Sequence, residues 1–144
     1  MNILLHLTNP ADQILPRLWL GSQLALNPAF LKEKHIDAII NMTPDVPIPA
    51  GIYGVRFPVY DHPSYEKRLH QMMPSVLKLL HKLLYNGHTV LIHCQAGIQR
   101  SATVVACYLK TYYKFSPWAS IMHIRSRRKI AFFNGFTFKH IVLS

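Results

Sequence analysis

His93-Cys94-Gln95-Ala96-Gly97-Ile98-Gln99-Arg100-Ser101 decides the fold, because the segments on either side of it differ in character. Before it, Thr89-Val90-Leu91-Ile92 is a β-branched and apolar run that suits a buried strand, within His88 to His93. After it, Ser101 to Tyr113 (SATVVACYLKTYY) reads as a helix. The run is therefore a strand-to-helix turn. In such a turn, N–H groups without intrahelical partners face a concavity, and the positive end of the helix dipole favours an oxyanion. Gly97 is expected to take the tight, positive-φ geometry.

The spacing assigns chemistry within that turn. Arg100 follows Cys94 by six positions, so a loop curling around a phosphate returns the guanidinium over the anion, where its planar fork can bind two oxygens. The cradle is then Gln95, Ala96, Gly97, Ile98, Gln99 and Arg100, with Cys94 at its floor. Loop amides, the helix terminus and the Ser101 hydroxyl all stabilise negative charge on sulfur. A thiolate held beneath a phosphorus atom is placed for in-line attack. Cys107, inside Val104-Val105-Ala106-Cys107-Tyr108-Leu109, reads instead as a buried small hydrophobe.

HCQAGIQRSAT resembles the His-Cys-x5-Arg-Ser/Thr signature of the Cys-based protein phosphatases, and most closely the dual-specificity branch. Ile14-Leu15-Pro16-Arg17-Leu18-Trp19-Leu20-Gly21-Ser22 resembles that family's opening strand, and Ile39-Ile40-Asn41-Met42-Thr43 its second. The likeness continues through Arg56-Phe57-Pro58-Val59-Tyr60-Asp61 to the Arg-rich helix ending Arg125-Ser126-Arg127-Arg128. Gln99 departs from the Ser or Asn that many members carry, and Asn134-Gly135-Phe136 matches the family's Asn-x-Gly-Phe only loosely. The resemblance implies hydrolysis of phosphotyrosine and phosphoserine/phosphothreonine through a phospho-cysteine intermediate, with no cofactor and no metal. It also implies a mixed sheet of four or five strands.

Cleaving a phosphate ester needs an acid for the departing oxygen, and the chain has only six carboxylates. Asp61 follows the apolar run Val55 to Val59 at the start of a polar loop, where a mobile catalytic group is expected in an open α/β sheet. Its Val-x-Asp context resembles the family's general acid. Asp45, also after an expected strand, is the runner-up. Ser101 is expected to cap the helix and to stabilise Cys94 as a leaving thiolate, and His93 to orient the loop. Asn134 is a supporting residue by the same resemblance. The other eight His show no metal-ligand spacing and read as surface or partly buried.

With 144 residues, half of them hydrophobic, the chain suits one domain over 1–144. Two Cys, one of them an expected thiolate, point to a reducing intracellular compartment, the cytoplasm or nucleus. The apolar opening Met1 to Leu7 is too short for a secretory signal and no stretch approaches a membrane span. The expected elements are a strand over about Gln13 to Leu20, a helix over about Asn27 to His35, and strands Asp37 to Met42 and Tyr53 to Val59. Helical material follows from Tyr65 to Asn86, with Pro74 interrupting or beginning a helix, then the buried strand, the cradle and three helices. Ser116-Pro117 is a helix start. The alternation implies an α/β domain with a central sheet and helices on both faces, and the resemblance implies that this sheet is mixed and mostly parallel.

The formal charge of +10 admits an anionic partner: phosphoprotein, nucleic acid or acidic lipid. Arg125, Arg127, Arg128 and Lys129, the densest basic cluster, read as a solvated helix end set against the dipole, with substrate steering as the alternative. Gln95, Ala96, Ile98 and Gln99 carry no charge, which counts against inositol lipids. Set against the tyrosine-only relatives of the family it resembles, whose extra segments deepen the pocket, a chain this short is expected to have a shallow cleft that accepts phosphoserine, phosphothreonine and phosphotyrosine. An RNA 5′-triphosphatase is the second reading, disfavoured by the absence of an aromatic and basic nucleic-acid module. A non-enzymatic phosphoprotein-binding module is the third, and a monomer is the expected state.

Overall fold

A computed structural model describes residues 3–144; Met1 and Asn2, which begin the apolar opening, lie outside the described residues. The described chain starts with the short helix α1 (Ile3–Leu7). Pro16 and Arg17 then fold the next segment back on itself. Pro16 has no N–H for a ladder, and Arg17 lies in the left-handed region at φ 64°. The expected single strand over Gln13 to Leu20 is therefore a hairpin of β1 (Ala11–Leu15) and β2 (Leu18–Gly21), with Leu15 opposite Leu18. Arg17 is held in that turn by donating from Nη1 to the carbonyls of Leu84 (2.6 Å) and His88 (3.0 Å).

Asn27 caps α2 (Pro28–Glu33) by accepting from the Ala29 N–H at 2.8 Å. β3 (Ala38–Asn41) and β4 (Tyr53–Arg56) follow. β4 stops short of the expected Val59, because Pro58 has no ladder donor. Next comes α3 (Glu66–Tyr85), which runs unbroken through Pro74. The expected interruption there does not occur. Pro74 and His70 lie on the exposed side, where water can reach the carbonyl the proline leaves without a donor. Leu69, Met73, Val76, Leu77, Leu80, Leu83 and Leu84 bury the opposite face on both sides of the proline.

β5 (Val90–His93) leads through the loop into α4 (Arg100–Tyr112), followed by α5 (Pro117–Arg127), which Ser116 caps from Ala119 N–H at 3.1 Å, and α6 (Lys139–Val142). The five strands lie in the order β1-β2-β5-β3-β4, with only the β1–β2 pair antiparallel. β5 is central, and alternate residues serve opposite layers. Ile39 and Leu91 pack with Leu31 and Ala25 on the α2 side, whereas Ile40, Val90 and Ile92 join the larger core with α3, α4 and α5. Gly21 and Asn41 both register with His93, so three parallel strands end level at the edge where Cys94 emerges. No helix among the described residues is long and apolar enough to cross a membrane.

Candidate active site

The loop after β5 is pinned from behind. Gln23 N–H donates to the Gln95 carbonyl at 3.0 Å, and Gly97 takes φ 67° against the end of β2. A Cβ at Gly97 would lie 2.6 Å from the Gly21 carbonyl and 2.8 Å from Arg128 Nη2, so the approach excludes any side chain. Arg128 is 1% exposed. It donates from Nε to the Gly97 carbonyl (2.9 Å), from Nη2 to the Ala96 carbonyl (3.1 Å) and from Nη1 to Asp12 Oδ2 (2.9 Å). The expected solvated cluster thus holds for Arg125, Arg127 and Lys129 but not for Arg128, which is a buried brace of the loop. Phase along α5 distinguishes it, because Ile121, Ile124 and Arg128 recur at helical spacing on the buried face.

The loop N–H groups are left open. Those of Gln95, Ala96, Gly97, Ile98 and Gln99 donate to no protein acceptor among the described residues. Five successive donors without acceptors, just before α4, make a nest suited to an oxyanion.

Cys94 is buried at the floor, its Sγ 3.1 Å from Ser101 Oγ. With the sulfur ionised, the hydroxyl can only donate. Arg100 is also buried and donates from Nη1 to the Val59 carbonyl at 2.9 Å, while its Nε is buried without a partner. Two residues beyond Val59, Asp61 is exposed at the rim and makes no hydrogen bond among the described residues. One cavity of about 350 Å³ brings together Asp61, Cys94, Gln95, Ala96, Ile98, Gln99 and Arg100, with Phe133 as a further wall. Ser101 sits behind the sulfur and Gly97 behind the loop. Asp45 is exposed after β3 and does not line this cavity.

His93 is buried and its Nδ1 lies 3.2 Å from the Cys94 carbonyl. A carbonyl only accepts, so Nδ1 carries the proton and the buried Nε2 presents an unmatched lone pair. Burial pushes the His93 pKa down from 6.5 to about 4, and the positive charges of Arg56 and Arg100 push the same way against the Cys94 bond. The ring is neutral near pH 7. Asn134 is exposed in a turn at φ 64° with no hydrogen bond from its side chain among the described residues, outside the cavity. Sequence reasoning did not find Asp12, Val59, Arg128 or Phe133. Two larger clefts, of about 530 and 510 Å³, run beside α3 and α6. They contain none of the loop residues, and the smaller cavity is where the nucleophile and open amides meet.

Strand, open-amide loop, cysteine and arginine at a helix start together define the class of α/β proteins built around a cysteine-centred oxyanion cradle. The family model for the dual specificity phosphatase catalytic domain matches residues 18–143, and the chain belongs to this family. It is 30% identical over 137 residues to mouse dual specificity protein phosphatase 26, covering 89% of this chain and 64% of that protein. Mouse laforin is 35% identical over 136 residues, covering 75% of this chain and 41% of laforin. The chain thus spans less than two thirds of the length of these two relatives. The structure of human DUSP28 superposes with a TM-score of 0.82 at 25% identity, over 92% of this chain and 90% of that one. DUSP15 superposes at 0.79 with 27% identity, over 93% and 85%.

Proposed function

We propose that the chain is a protein phosphatase acting on phosphotyrosine and phosphoserine/phosphothreonine through a phospho-cysteine intermediate. The observation that carries this reading is the set of five unpaired loop amides above Cys94, closed by the unpartnered buried Nε of Arg100. These donors match the equatorial oxygens of a transferring phosphoryl group, which gathers negative charge in the transition state. Cys94 Sγ attacks phosphorus, the S–P bond forms, and the P–O bond to the substrate breaks as Asp61 protonates the leaving oxygen. Water then attacks the phospho-cysteine with Asp61 taking its proton. The S–P bond breaks, inorganic phosphate departs, and Ser101 donates to the freed thiolate, the partner its 3.1 Å approach supplies.

Cys94→Ser tests the reading on a phosphopeptide panel. It should abolish turnover yet retain oxyanion binding, since the amides and Arg100 remain. Retention of more than about a tenth of wild-type activity would contradict covalent catalysis, because loss of an essential nucleophile costs several orders of magnitude.

A further inference from the structure

Two departures from the family pattern meet in space. The Gln99 side chain, in the phosphate loop, donates from Nε2 to the Gly135 carbonyl at 2.7 Å and accepts on Oε1 from the Thr137 N–H at 3.0 Å. A third bond, from Phe132 N–H to the Ile98 carbonyl at 2.9 Å, ties the same segment to the same loop. Between these ties Phe132 and Asn134 are held in the left-handed region at φ 59° and 64°, and Gly135 turns the chain at φ 107°. Non-glycine residues at positive φ persist where their surroundings over-determine them.

The turn has a product. Phe132 is buried and packs against Phe136, whereas its neighbour Phe133 is turned out, 37% exposed, onto the wall of the Cys94 cavity. Phe133 belongs to neither core cluster and has no ring partner among the described residues. An aromatic ring left open beside an oxyanion cradle, and not needed by the core, is suited to face the flat group that carries the phosphate.

We propose that Phe133 is a specificity-determining residue that contacts the aromatic ring of aryl phosphate monoesters such as phosphotyrosine, and that Gln99 is the positioning residue that holds it there. This rests on the phosphatase reading and deepens it. Phosphoserine presents no ring, so the contact favours aryl over alkyl substrates through binding rather than through the chemical step. Aromatic pairs contribute enough to change affinity by about three- to tenfold.

The test measures kcat and KM on matched phosphotyrosine and phosphoserine peptides, together with binding of both peptides to the Cys94→Ser protein. Phe133→Ala should raise KM for the phosphotyrosine peptide about three- to tenfold and leave kcat and the phosphoserine peptide within about twofold, while Phe133→Tyr should keep the wild-type ratio. Gln99→Leu should lower the same ratio, and combining it with Phe133→Ala should lower it no further, since both act through one contact. An unchanged aryl-to-alkyl ratio in Phe133→Ala, or an equal loss on both peptides, would overturn the assignment. The binding arm separates the two levels. If wild type turned over neither peptide, the phosphatase reading would fail, whereas Phe133-dependent binding of phosphotyrosine would still uphold the contact and its absence would remove it.

Discussion

At the scale of single residues, the proposed chemistry rests on a cation, a thiol and an acid that arrive by different routes. Cys94 and Arg100 are fixed by one loop, and their spacing alone places them together. Asp61 comes from a separate segment, and the Val59 carbonyl bonded to Arg100 is what brings that segment over the cradle. On the proposed mechanism Asp61 gives a proton to the leaving oxygen, so activity should fall on the alkaline side, and Asp61→Asn should flatten that limb. The same variant should lower kcat by roughly 10²–10⁴ on phosphoserine, the usual scale for a general acid, and by less on aryl phosphates with stable leaving groups. Equal loss on both substrates, or a larger loss from Asp45→Asn, would move the acid elsewhere. His93 gives a second pH signature, read in stability. Its folded pKa of about 4 lies below the unfolded 6.5, so its neutral form is stable in the fold above pH 6.5 and stability falls as pH drops from 6.5 towards 4. The full effect is on the order of 3 kcal/mol. Urea unfolding at pH 7.5 and 5 should show a smaller acid loss for His93→Asn than for wild type; an unchanged loss would contradict a neutral buried ring.

At the scale of elements, the strand-loop-helix unit was legible because composition switches sharply at His93 and Ser101. The hairpin was not: Ile14 to Leu20 is apolar except for Arg17, and the turn is made by Pro16 with that arginine rather than a glycine at positive φ. Pro74 misled in the opposite direction, since seven buried side chains on its helix outweigh one missing backbone bond. Arg128 was hidden among exposed neighbours of the same charge, and only its helical phase with Ile121 and Ile124 set it apart. Its contribution is measurable. Arg128→Leu leaves two loop carbonyls without this donor and removes one of the two donors to Asp12, which is 24% exposed and keeps its bond from Asn9, and should cost about 1–3 kcal/mol. Arg128→Lys cannot reach three acceptors in a fork and should keep the fold while lowering kcat/KM about tenfold or more, through displaced cradle donors. Wild-type vanadate affinity and activity in Arg128→Lys would show that the loop holds itself.

At the scale of the whole molecule, a parallel sheet ends three strands level at one edge, and the helices behind it carry the core. The α/β class and the central sheet with helices on both faces followed from the alternation of elements, and the sheet's mixed, mostly parallel character and strand count from family resemblance. The contacts that complete the site join residues far apart in the chain: Asp12 with Arg128, Val59 with Arg100, and Gln99 with Gly135. No local pattern announces such pairs, because each depends on where the elements pack. On the proposed mechanism all three serve one event, formation and loss of a bond to the Cys94 sulfur. Rapid quenching of a phosphotyrosine-peptide reaction, followed by mass analysis of the peptide containing Cys94, measures that event directly. With Ser101→Ala, which removes the hydroxyl 3.1 Å from the sulfur, breakdown should slow and one phosphoryl group should accumulate on Cys94. Release of phosphate in full turnover with no phosphoryl group ever found on Cys94, in that variant or in Asp61→Asn, would contradict the covalent account.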